Sequence, residues 1–198
     1  MSRSSKRFPR LTAKDLTPEQ RTLAQGLLAG ARGTGDTGPE AVDRMLGRGP
    51  FNAWMRSPDL GGHLQKAGEY IRFHTSVPKR LNEFAILITA RHWTSQFEWY
   101  AHLPMAVKAG LDPKLAADLA LKRRPRKMKP DEAAVYEFCA QLHRRKKVTD
   151  AAFKRALKFL GEKGVMDLIG VCGYYTAVSM TLNVAEVPLP AGEKNPLK

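Results

Sequence analysis

The feature that most constrains the fold is the punctuation of the chain, which opens and closes helices repeatedly and never marks a β-hairpin. Thr17-Pro18-Glu19-Gln20 sets an N-cap, a proline at the first helical position and a capping-box glutamine in a row, which predicts a helix to about Ala31. A glycine-rich loop over 33–38, a short helix over 39–46 and a break at Arg48-Gly49-Pro50 follow. Residues 60–73 read as helix, with Gly61 and Gly62 weakening its start, and Pro78 fits the first turn of the next. The run 84–89 (FAILIT) is nearly continuous apolar sequence and by itself suits a buried strand. Pro78 at its head and Arg91 and His92 at its tail fit a buried helix of about three turns better. Trp93-Thr94 makes a turn, and 95–109 is the next helix, closed by Gly110 and apolar Leu111 in the pattern of a left-handed glycine cap. Asp112-Pro113 opens another short helix.

Two later segments carry a single apolar stripe at helical spacing: Val135, Phe138, Cys139 and Leu142, then Phe153, Ala156, Leu157 and Leu160. Over 164–183 apolar residues go all round, which predicts a central helix or one covered by a neighbouring subunit. Val187-Pro188-Leu189-Pro190 reads as an extended arm, and 191–198 as a frayed polar end. The expected fold is all-α, one domain over 1–198 with a basic N-terminal tail (1–16) and an extended C-terminal arm (184–198).

Composition narrows the function classes. A chain of 198 residues buries enough surface to need no disulfide or metal staple. Its two cysteines, Cys139 and Cys172, are 33 positions apart and form neither a metal-ligand pair nor a CxxC, so both are expected in the core of a protein kept in a reducing compartment. The first ten residues, MSRSSKRFPR, lack the apolar stretch of a secretory signal. The longest apolar stretch, 165–182, is interrupted by Asp167, Gly170 and Gly173, so the expectation is a soluble cytoplasmic protein with no membrane span. With 33 Lys and Arg against 19 Asp and Glu, the net charge of +14 favours anionic partners without choosing among them. The basic runs 122–129 and 143–147 have no interleaved aromatics for base stacking, so they read as a solvated loop and a cationic helix end, and nucleic-acid binding is not expected.

The densest polar constellation is Glu83, then Arg91-His92-Trp93, then Ser95, Glu98 and His102, across two consecutive helices. Ser95, Glu98 and His102 share a helix face by spacing, and an antiparallel hairpin would bring Glu83 beside them. Two carboxylates, an imidazole and a hydroxyl between apolar walls can hold a proton donor and an acceptor near neutral pH. The same residues have plainer readings: Ser95-x-x-Glu98 is also a capping box, Glu98 and His102 are an ordinary i, i+4 pair, and Arg91 is near enough to Glu98 in sequence for a structural ion pair. No HExxH and no complete ligand set points to a metal.

The segments Glu83-Phe84-Ala85-Ile86-Leu87-Ile88-Thr89-Ala90-Arg91, Gln96-Phe97-Glu98-Trp99-Tyr100-Ala101-His102 and Ala109-Gly110-Leu111 resemble the carboxymuconolactone decarboxylase family, which shares its superfamily with alkyl hydroperoxidase D. The resemblance covers about 60–185 and is strongest over 83–111. It implies an alkyl-hydroperoxidase-D-like fold built around a helical hairpin and assembled as a homo-oligomer, trimeric or hexameric. It implies decarboxylation of a small carboxylated lactone or related ring-fission product without a cofactor. Glu83, Glu98 and His102 would be catalytic, with His102 as proton donor, and Arg91, Trp93 and Ser95 would bind the substrate. In the hydroperoxidase branch the hairpin carries a CxxC pair, whose positions here are Ser95 and Glu98. A serine hydroxyl neither ionises readily near pH 7 nor cycles through a sulfenic acid, so thiol peroxidase activity, the alternative reading of the resemblance, is not expected of this chain.

Overall fold

The computed structural model describes residues 7–31, 33 and 35–198, all of whose regular structure is helical. Parts of two expected features, the basic tail (1–6) and the glycine-rich loop (Arg32 and Thr34), lie outside the described residues. The chain divides into two compact units: Met1–His74 with Thr181–Ala191, and Thr75–Met180 with Gly192–Lys198.

The first unit opens with α1 (Pro18–Ala29), where the expected capping box forms reciprocally between Thr17 and Gln20. Next come α2 (Pro39–Leu46), the single turn α3 (Phe51–Trp54) and α4 (Pro58–Glu69), which runs into a π-helical turn, Tyr70–His74, rather than continuing as α-helix to 73. Ala24, Leu27 and Leu28 of α1 share a core with Val42, Met45 and Leu46 of α2 and with Met55. Gly61 has a packing reason: a Cβ there would lie 2.8 Å from Leu23 and 3.1 Å from the Trp54 carbonyl, so only glycine lets α4 approach this closely. Asn52 bonds the chain entering the unit, accepting from Leu11 N–H and donating to the Phe8 carbonyl.

The second unit is built on α5 (Lys79–His92), the segment whose alternative was a strand. Every residue from Leu81 to Arg91 is buried, against α6 (Gln96–Lys108), α7 (Pro113–Ala120) and α8 (Pro130–Arg145). The central helix is therefore α5. The 164–183 segment, expected to be central or subunit-covered, belongs to α9 (Asp150–Val184), which breaks at Gly161 (φ 66°) and leaves Met166, Ile169 and Met180 exposed. α9 is long and apolar enough to cross a membrane by composition alone, but half of its most apolar window is buried within the protein, as a core helix would be. The stripe expected on its first part is also corrected: Phe153 is exposed, and Ala152 and Ala156 face the core.

Polar ties hold the unit together. Asp167 accepts from Ser76 N–H and Ser76 Oγ, both at 2.7 Å, and from Thr75 Oγ1, so the residue that interrupts the apolar run anchors the entry to α5. Arg80 of α5 pairs with Asp131 and with buried Glu132 at the start of α8. The C-terminal segment is docked rather than frayed. Leu197 is 3% exposed, and its N–H and C=O bond the two ends of the Gln96 amide at 3.0 and 2.8 Å.

The turn between α6 and α7 follows the sequence expectation closely. Gly110 sits at φ +92°, its N–H donates to the Val107 carbonyl, and the Leu111 N–H reaches back to Ala106. A Cβ at Gly110 would meet nothing nearer than Arg80 Cδ at 3.8 Å, so the position requires glycine for its backbone and not for space. Gly110→Ala is expected to lower the unfolding free energy by about 1 kcal/mol, read from the urea midpoint at unchanged m-value.

Candidate active site

The helical hairpin of α5 and α6 brings three of the expected residues into direct contact. His102 of α6 lies between two carboxylates, with Nδ1 2.7 Å from Glu83 Oε2 and Nε2 2.9 Å from Glu98 Oε1. All three are buried, at 3%, 0% and 4% exposure for His102, Glu83 and Glu98, which excludes water as the partner that ordinarily solvates such charges. Glu83 is reached across the hairpin, whereas Glu98 lies one turn before His102 on the same helix. The capping-box reading of Ser95-x-x-Glu98 is thereby set aside: Ser95 is the N-cap of α6, but its side chain makes no cap hydrogen bond.

Proton counting gives the cluster two protons, one for each contact: an imidazolium between two carboxylates supplies both, and so does a neutral imidazole beside one protonated carboxyl. Burial alone pushes the imidazole down, but the Glu98 and Glu83 carboxylates more than offset this and raise His102 above the ordinary histidine range. Burial likewise pushes Glu83 up, yet His102 and Lys79 outweigh it and hold Glu83 below the usual carboxylate range. Lys79, one turn before Glu83 on α5 and half exposed, puts Nζ 2.7 Å from Glu83 Oε1. The chain Lys79–Glu83–His102–Glu98 thus runs from the surface inward and alternates basic with acidic side chains. Tyr175 of α9 stands edge-on to the His102 ring at 5.1 Å.

The residues expected to bind substrate are not brought into this cluster. Arg91 donates from Nη2 to the Lys198 main-chain oxygen, and its expected ion pair with Glu98 does not form. Its Nε and Nη1, though buried, have no hydrogen-bond partner among the described residues. Arg91 is eight residues beyond Glu83, about 12 Å along the helix axis, so the cation beside the relay is Lys79. Trp93 donates from Nε1 to Thr176 Oγ1 at 3.1 Å. The Ser95 hydroxyl is fully buried without a hydrogen-bond partner. Sequence reasoning missed Lys79 and Tyr175. Lys79 carried a usable signal, the i, i+4 spacing to Glu83, while Tyr175 is brought in only by tertiary packing.

Among the described residues no group of three or more His, Cys, Asp or Glu side chains is arranged to hold a metal ion. The basic runs are partly tied down, with Arg124 bonded to Glu137, Arg126 near Asp118 and His143 buried. No protein-family model matches the chain, and no curated protein sequence matches it.

The cluster makes stability depend on pH in a defined way. The raised His102 value contributes stability that is complete below about pH 6.5 and is lost as pH rises through the folded value. The lowered Glu83 value contributes stability present above about pH 4.3 and lost as pH falls through the folded value. Urea midpoints measured against pH are expected to be highest between these limits. Glu98→Gln removes the largest influence raising His102, so the alkaline decline should begin at lower pH in that variant.

Proposed function

We propose that this chain is a cofactor-free acid–base enzyme, a carboxymuconolactone-decarboxylase-like lyase acting on a small carboxylated unsaturated lactone or related ring-fission product. The observation that carries the reading is the buried His102 ring with one nitrogen against each of two buried carboxylates, a group fixed in position to donate a proton and shielded from water. In the proposed reaction the bond from the ring carbon to the carboxylate breaks, its electron pair enters the conjugated system and CO2 leaves. His102 then delivers a proton to the carbon that lost the carboxylate. Releasing that proton requires one carboxylate contact to open, and the remaining contact holds the ring in place. Glu83 is the carboxylate with a path outward, through Lys79, by which the proton is replaced.

Lys79 is the better candidate than Arg91 to meet the substrate carboxylate, since it is half exposed and already beside the relay. The role of Arg91, with Trp93 and Ser95, is then to set the shape of the hairpin turn. The net charge of +14 favours approach of such an anion. The exposed Met166, Ile169 and Met180 of α9 suit a homo-oligomer, a trimer or hexamer, in a cytoplasmic setting.

The test is ultraviolet-monitored consumption of γ-carboxymuconolactone by the wild type, His102→Gln and Glu83→Gln. Turnover by the wild type is expected, with a loss of at least about 100-fold in His102→Gln and an unchanged helical circular-dichroism spectrum. Equal rates in wild type and His102→Gln, or no turnover by a correctly folded wild type, would contradict the proposal.

A further inference from the structure

A second group of reactive side chains lies elsewhere in the same unit. Cys139 of α8 and Cys172 of α9, 33 residues apart in sequence, meet in the core with their sulfurs 3.5 Å apart and unbonded. His143, one turn after Cys139 on α8, lies close enough to Cys172 to favour its thiolate. The Thr89 hydroxyl donates its only proton to the Ala85 carbonyl, so its 2.9 Å contact with His143 Nε2 must be donated by the ring. A neutral His143 therefore carries its proton on Nε2 and keeps Nδ1 free to accept another. The exposed ring of His92 stacks on His143 at 4.9 Å and 19°, linking this buried group to the surface.

We propose that Cys139 and Cys172 form a redox-active dithiol that hydrogen peroxide oxidises to a disulfide joining α8 to α9, with His143 as the base. The Cys172 thiol gives its proton to His143, and the thiolate attacks one peroxide oxygen. The O–O bond breaks, the peroxide is reduced, His143 returns the proton to the departing hydroxide as water, and Cys172 becomes a sulfenic acid. Cys139 then attacks the Cys172 sulfur. The S–O bond breaks, hydroxide leaves with the Cys139 proton as a second water, and the S–S bond forms. A dithiol reductant reverses the oxidation. The two cysteines are 0% and 2% exposed, so the site takes an oxidant near the size of water and excludes bulky alkyl hydroperoxides.

The division of labour between the sulfurs follows their surroundings. The Cys139 thiol and then His143 pull Cys172 below the ordinary thiol range against the effect of burial, whereas Cys139 is raised well above it by Cys172 and by burial. The titratable and charged groups facing the pair are His143 on α8, His92 on α5 and, acting on His92, Lys146 just past α8. Thr89 lies six residues beyond Glu83, about 9 Å along α5, so this chemistry does not depend on the Glu83–His102–Glu98 relay.

The test treats the reduced full-length chain with hydrogen peroxide or cumene hydroperoxide, then quenches, alkylates under denaturing conditions and maps the peptides by mass. Hydrogen peroxide is expected to yield a Cys139–Cys172 link within one chain, cumene hydroperoxide none, and Cys139→Ser a dimedone-trappable sulfenic acid on Cys172. The oxidation rate should rise with an inflection below the ordinary thiol range in the wild type. In His143→Gln it should fall about tenfold at neutral pH, with the inflection moved upward, a displacement that loosened packing alone would not produce. Two free thiols in the folded chain, under peroxide that oxidises the same chain in urea, would overturn the proposal. An inflection unchanged in His143→Gln would overturn the role of His143.

Discussion

Both nitrogens of one buried imidazole face carboxylates, and this arrangement sets the terms for the rest of the second unit. Glu83 and Glu98 cannot both be ionised out of water unless a cation stands between them, and His102, whose titration the carboxylates raise, is the group placed to be that cation. The requirement explains why a helix with an unbroken buried stretch from Leu81 to Arg91 tolerates a carboxylate in its middle. It also explains why Lys79 sits one turn earlier, with its charge at the surface and its reach directed at Glu83. The clamp of Asp167 on Thr75 and Ser76 and the pairing of Arg80 with Asp131 and Glu132 fix the start of α5, and with it the position of Glu83.

Much of the fold was legible because its boundaries are written in local chemistry. The capping box at Thr17, the proline starts of α1, α2 and α7 and the Gly110 turn depend on neighbours within a few residues, and each forms where expected. The position of the helices in the core was not legible by the same means. Hydropathy pointed to 164–183 as a central helix or one covered by a neighbouring subunit, and within the second unit the central helix is α5 although it buries Asn82, Glu83, Thr89 and Arg91, because burial of those side chains depends on partners distant in sequence. The docked C-terminal segment shows the same limit: nothing local to Leu197 announces that Gln96 will bond both sides of its backbone.

The candidate site was legible in its residues and less so in its grouping. Helical spacing placed Glu98 and His102 together, and an assumed hairpin added Glu83. Spacing alone could not separate a capping box from an acid–base cluster, since Ser-x-x-Glu suits both, and the buried, uncapping Ser95 side chain removes the capping box. Arg91 was adjacent in sequence but is two turns of helix removed in space. The cysteines were expected in the core and are there, but their contact with each other and with His143 is a product of how α8 and α9 pack. α5 thus contributes side chains to two separate clusters, Glu83 to the one around His102 and Thr89 and His92 to the one around His143.

The central claim is that His102 is an imidazolium with a proton on each nitrogen, and nitrogen-15 spectroscopy of the ring measures this directly. Both His102 nitrogens should stay protonated up to a deprotonation midpoint above the ordinary histidine range, and Glu98→Gln should shift that midpoint to lower pH. A midpoint at or below the ordinary histidine range would contradict the account.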